Sequence, residues 1–173
     1  MRFAFLLPLA AVLLSGCAGY HVGPIKPKTM RDVKTIAVPS FKNDTLEPRV
    51  EVLFANAVIK QIQQDGTFQV VREADADAIL EGTVEKILRR PSRSVRGNVL
   101  QTREYNLVTT IRFRVRDRSG RILEERAVAG QSSFFVSGTD TLAADVNEDE
   151  RQALPLVAED AAVHLVSLIS EGW

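Results

Sequence analysis

"YNLVTTIRFRVRD" (Tyr105–Asp117) sets the frame for the whole chain. Leu107, Thr109, Ile111, Phe113 and Val115 share one parity, and Thr110, Arg112, Arg114 and Arg116 share the other. A period of two places them on opposite faces of a β-strand, one buried and one wet. "DRSG" (Asp117–Gly120) follows as a hairpin turn with glycine at its end. "RILEERAVAGQSSFFVSG" (Arg121–Gly138) is the returning strand, and its slipped alternation near Glu124 predicts a bulge.

Upstream, Ala78, Leu80, Gly82 and Val84 alternate with Ile79, Glu81, Thr83 and Glu85, the pattern of a half-buried strand. "FQVV" (Phe68–Val71) is a short strand. "VKTIAVPSF" (Val33–Phe41) is apolar enough for burial on both faces, hence a central place, with Pro39 near its end. Between them Val50, Leu53, Phe54, Ala57, Val58 and Ile62 recur as one face of a helix. Asp44 or Thr45 is expected to cap it, Pro48 to lie in its first turn, and Gly66 to end it in a left-handed conformation. From Asn147 a second helix keeps Leu154, Val157, Ala158, Ala161, Ala162, Leu165, Leu168 and Ile169 on one face. Pro155 is expected to start or kink its regular part, and "NEDE" (Asn147–Glu150) to be charge favoured at its N-terminus. The fold class expected is α+β: a two-layer sandwich of two amphipathic helices on a mixed, mostly antiparallel sheet of four to five strands.

The N-terminus differs in kind. Arg2 precedes the apolar run "FAFLLPLAAVLL" (Phe3–Leu14), then Ser15, Gly16 and the only cysteine, Cys17. This is the pattern of a secretory signal, too short to cross a hydrocarbon core that takes roughly 20 residues. "LSGC" also has the form of a lipobox, which would make Cys17 the acylated first residue of the mature chain. An ordinary signal peptide cut elsewhere would instead leave a free thiol. An exported chain with one unpaired cysteine calls for an explanation, and acylation supplies one. Ala18, in place of an aspartate, points to the outer membrane. "AGYHVGPIKPKTMRD" (Ala18–Asp32), with its glycines and prolines, is a tether. The organisation expected is a signal peptide at 1–16, a lipidated tether at 17–32 and a single α/β domain at 33–173. No second apolar stretch is expected to be long enough to span a membrane. With 22 basic and 22 acidic residues the chain has no global field for polyanions, so any anion site must be a local patch.

That patch is "ILRRPSRSVRGNVLQTR" (Ile87–Arg103). It carries Arg89, Arg90, Arg93, Arg96 and Arg103 with no acid among them. Pro91 and Gly97 make it a loop or a loosely paired strand extension. Guanidinium forks bind phosphate bidentately. The segment is therefore a cationic loop for phosphorylated lipid heads or a polar partner surface, or else a solvated loop keeping a long hairpin soluble. Nucleic acid is not an expected partner: the chain is exported, and no aromatic platform is interleaved with the arginines. Arg112, Arg114 and Arg116 either extend the basic surface or pair across strands with Glu81, Glu85 and Glu125.

Signs of catalysis are weak. His21 lies in the tether and His164 on the last helix, neither with a sequence partner. "DAD" (Asp75–Asp77) has the residues for a divalent metal but also the form of a turn before a strand. There is no phosphate cradle opening a helix, metal-ligand spacing or nucleophile elbow. No enzyme, cofactor or metal is expected.

"CAGYHVG", "VKTIAVPSFKNDTLEPRVE", "DGTFQVV", "ADADAILEGTVEKI" and "ALPLVAEDAAVHLVSLI" together resemble the lipopolysaccharide-assembly lipoprotein LptE family. The resemblance covers nearly all of the mature chain. The Y-H-x-G after the cysteine and A-V-P-x-F-x-N-x-T are its most telling parts. It implies an α/β sandwich seated in the lumen of LptD, an outer-membrane β-barrel. There the chain assists assembly, plugs the barrel and binds lipopolysaccharide, held to outer-membrane lipid through acylated Cys17. The basic loop is the expected contact for lipid A phosphates or inner-core acids. Two other classes are a lipoprotein activator of a periplasmic cell-wall synthase and a periplasmic hydrolase. The first usually needs a longer tether than Ala18–Asp32 and the second a site that is missing.

Overall fold

The computed structural model describes residues 26–93, 102–137 and 143–171. Strands β1 (Thr35–Ala37) and β2 (Lys42–Asn43) precede helix α1 (Val50–Asp65) and strand β3 (Gln69–Val70). Three long strands follow, β4 (Ala78–Arg93), β5 (Thr102–Asp117) and β6 (Ile122–Ser137), then helix α2 (Ala143–Ser170). The sheet order is β3-β1-β4-β5-β6, with β2 also on β4, making six strands, one more than the top of the expected range. β1 and β2 run parallel to β4, whereas β4–β5 and β5–β6 form long antiparallel ladders. The class is the expected α+β sandwich.

The period-two reading of β5 holds: Leu107, Thr109, Ile111, Phe113 and Val115 are all buried. They share one core with Phe54, Val58 and Ile62 of α1 and Val157, Ala161 and Leu165 of α2, so both helices cover the same sheet face. β1 is buried on both sides, because Ile36 enters this core while Ala37 joins Ala76 and Ile79 in a smaller cluster. The slip near Glu124 is a register shift: Val115 faces Glu124 while Arg116 faces Ile122. Gly66 (φ 74°) ends α1 as expected.

Four expectations need correction. Neither Asp44 nor Thr45 caps α1; it starts after Arg49, which is itself left-handed (φ 66°), and Thr45 instead bonds to Asn43. Helix α2 begins at Ala143, ahead of Asn147, and runs on through Pro155, which does not start it. Pro155 is exposed, so the carbonyl it leaves unpaired can face water. The segment Glu150–Ser170 is long and apolar enough to cross a membrane; with 56% of it buried, it is packed here as a core helix. Residues 26–32, read as tether, include a 3-10 turn at Lys28–Met30 whose Met30 is fully buried.

Thr109 is completely buried and its hydroxyl has no hydrogen-bond partner among the described residues. An orphaned buried hydroxyl costs about 1–3 kcal/mol, and a valine of the same shape removes it. Thr109→Val is expected to raise the urea midpoint, by about 1 kcal/mol of stability at unchanged slope. A lower midpoint would contradict the burial of that hydroxyl.

Candidate functional site

The three long strands give the sheet two poles. At the near pole Ala78 of β4 pairs with Asp117, beside the β5–β6 turn. The described chain also enters there: Lys26 Nζ donates to Val33 O at 2.7 Å and lies over the Phe68 ring. At the far pole β4 ends at Arg93 and β5 begins at Thr102. Sixteen residues of strand separate the poles, roughly 50 Å at about 3.3 Å per residue.

At this far pole the basic segment is, over its described residues, a strand extension rather than a loop. Pro91 pairs with Tyr105, and Arg93 with Glu104. β1 and β2 reach only as far as Val84, so beyond it β4 has no strand on that side among the described residues, and proline is tolerated on such an edge. A register shift between Val84 and Lys86 leaves Glu85 as the extra residue and reverses which parity faces the helices. Ile87 and Arg89 therefore oppose the buried Thr109 and Leu107, while Leu88 and Arg90 oppose Val108 and Asn106 on the open face.

This reversal separates the predicted site residues. Arg89 forms an ion pair with Glu150 of α2, a carboxylate only 4% exposed. Burial pushes the Glu150 carboxyl up, Arg89 pulls it down, and the negative charge of Glu47 adds to the rise. Arg90 is exposed on the opposite face. Arg93 and Arg103 lie in the paired backbone, Arg103 opposite Val136. Arg96 and Cys17 fall outside the described residues. In the sequence Glu150 reads as helix N-terminal charge. Its spacing to Leu154 and Val157, four and seven residues on, sets it on the apolar stripe and was the available signal.

On the open face nearer the other pole, the second arginine row is neutralised as the pairing reading expects. Arg112 donates to Glu85 at 2.7 Å, Arg114 to Glu81 at 2.8 Å and Arg116 to Glu81 at 2.9 Å. The two guanidinium bonds hold Glu81 below the usual carboxylate range. Glu125 sits opposite Arg114 in register. The two aspartates of "DAD" are each engaged: Asp75 pairs with Arg72, and Asp77 accepts the N–H groups of Lys34 and Thr35. Among the described residues no metal-binding cluster occurs. His164 Nδ1 donates to the carbonyl of Ala129 at 3.0 Å.

Backbone N–H bonds from Thr35 and Lys34 also hold the Asp77 carboxyl low. A depressed folded-state value means stability that is present above the unfolded value and lost as pH falls through the folded one. Asp77→Ala is therefore expected to reduce stability at pH 7 and to flatten the loss below about pH 4. Urea midpoints between pH 7 and 3 that fall in parallel for both proteins would rule this out.

These features define a class: a helix-backed, mostly antiparallel sheet with a basic arm at the pole opposite chain entry. The lipopolysaccharide-assembly LptE family matches residues 33–169, and the chain belongs to that family. Similar solved structures include a minor lipoprotein from Acinetobacter baumannii, at 19% identity and TM-score 0.50, covering 79% of this chain and 90% of that one. Another is the hypothetical protein CT253 from Chlamydia trachomatis, at 8% identity and TM-score 0.53, covering 79% and 95%. At these identities they show the fold alone. No curated protein matches the chain significantly.

Proposed function

We propose that this lipopolysaccharide-assembly protein is an outer-membrane lipoprotein, anchored through acylated Cys17, that seats in the lumen of an LptD-like β-barrel. There it assists barrel assembly and binds lipopolysaccharide through the far-pole arginines. The observation that carries this is polarity: chain entry and the basic arm lie at opposite ends of strands 16 residues long. Acyl chains contribute about 0.8 kcal/mol per buried CH2, so several on one cysteine hold the near pole at a leaflet. The residues from Cys17 to Lys26 reach at most about 35 Å when extended. The arm then projects away from that leaflet, where the phosphates and acids of lipopolysaccharide can be met by guanidinium forks. A neutralised second arginine row suits an outer surface that is polar without competing for anions.

The test is purification of the export-processed chain from its own membranes, with mass measurement of its N-terminus. An acylated Cys17 and copurification of an outer-membrane barrel are expected. Material free of acyl chains, or acylated material that recovers no barrel, would overturn the reading.

A further inference from the structure

The F-x-N-x-T motif at Phe41–Thr45 lies beside the first residues of the basic arm, across a groove that Arg89 also lines, and its side chains build a clamp. Asn43 Oδ1 accepts the N–H of Thr45 at 2.9 Å and its hydroxyl at 2.7 Å. Asn43 Nδ2 donates to the carbonyl of Glu47 at 2.8 Å and to the Glu51 carboxylate at 3.0 Å. Thr45 Oγ1 accepts the N–H of Glu47 at 3.2 Å, and the N–H of Asp44 bonds to Val84 O at 3.0 Å. The Phe41 ring fills the space beside Gly82, within 2.6 Å of where a side-chain carbon would sit. The loop closes on Arg49 in a left-handed conformation that L-residues rarely adopt.

What this rigid loop displays is Leu46, at 104% of its reference exposure. A single exposed leucine is ordinary; one fixed by so many bonds beside a groove is not. The groove, about 500 Å³, runs past Ile87 and the half-exposed Leu88. Of its charges, Arg89 is held by Glu150 and Glu85 by Arg112. That leaves the carboxylates of Asp44 and Glu47 facing Lys86 within the groove, with Arg49 and Arg151 beside Glu47 in the adjoining clefts. An exposed leucine ringed by charges of both signs has the apolar centre and polar rim of a protein contact, and its carboxylates can take lysine or arginine from a partner.

We infer that the loop from Asp44 to Arg49 is the docking element for a protein partner. Leu46 inserts into an apolar pocket of the partner, and Asp44 and Glu47 pair with lysine or arginine at the rim of that pocket. Because the loop is ordered before contact, little entropy is lost on binding. The inference rests on the proposed reading in that the partner is the barrel.

The test uses the full acylated chain in its own outer membrane. Leu46→Asp is expected to lower recovered barrel at least about tenfold, the effect of a central anchor, with Tm unchanged. Asp44→Lys combined with Glu47→Lys is expected to lower recovery as well. A photoreactive phenylalanine at position 46 is expected to cross-link to that same barrel. Wild-type recovery of the barrel with equal recovery by Leu46→Asp, or cross-linking from position 46 to lipid alone, overturns the inference and leaves the proposed function standing. Failure of the wild type itself to recover a barrel overturns both.

Discussion

Gly130→Ala is expected to lower stability by about 3 kcal/mol or more, and Tm by roughly 10 °C. A side-chain carbon there would sit 2.3 Å from the carbonyl oxygen of Val157, 2.6 Å from Ala161 Cβ and 2.7 Å from Ala161 N. Two of those atoms are helix backbone, so no rotamer change relieves the clash and α2 must retreat as a body. Retreat would also strip two polar ties on either side of Gly130: the Gln131 N–H to Asp160 at 2.9 Å and His164 to Ala129 O. Both ties lie along β6, the last strand of the sheet, whose outer backbone groups would then be open to pairing with another chain. Gly82→Ala first meets the Phe41 ring, a side chain and not helix backbone, and is expected to cost less. Denaturant unfolding of both variants gives the order. A loss below about 1 kcal/mol for Gly130→Ala would mean that α2 packs less closely than its carbonyl distance indicates.

The contrast between β5 and β4 shows what could be read from the sequence. β5 is flanked by strands along its length and covered on one face, so its side chains alternate strictly and period two is enough. β4 changes environment midway. Its first half is central and its second half lies at an edge among the described residues, where a ladder tolerates Pro91, so the sequence leaves loop and strand extension both open. The extra residue Glu85 then shifts parity by one, sending Arg89 inward and Arg90 outward. A one-residue slip moves every later side chain to the other face and leaves no compositional trace. The clamp at Asn43 was hidden for a related reason. "KNDT" holds several residues able to cap a helix, and only the fold shows that Asn43 and Thr45 bond to each other and to the loop instead of to α1.

Neutralising Arg90, Arg93, Arg96 and Arg103 together is expected to weaken lipopolysaccharide binding about a hundredfold at unchanged stability. Hydrogen bonds to charged groups contribute about 1.5–3 kcal/mol each, so the loss of two reaches that size. Arg89 must be treated apart, because it holds a buried carboxylate. Arg89→Ala removes the one cation that pairs with Glu150 among the described residues and leaves it beside the charge of Glu47. Breaking a buried pair costs about 3–5 kcal/mol; Arg89 is 46% exposed, so about 1–2 kcal/mol is expected here. The sign with pH follows from the raised Glu150 carboxyl. Its protonated form suits the fold, so stability is greater at low pH and falls as pH rises through the folded value. Loss of Arg89 raises that value further and steepens the fall. A drop in binding by Arg89→Ala alone would thus mix ligand contact with loosening of α2. Arg89→Met combined with Glu150→Met separates them, since a buried pair exchanged for apolar side chains is neutral or stabilising. That double variant is expected to be stable across pH and to bind lipopolysaccharide like the wild type. Binding reduced as far as in the four-arginine variant would make Arg89 a ligand contact as well as a clamp. Wild-type binding by the four-arginine variant would remove the arm from lipid recognition altogether.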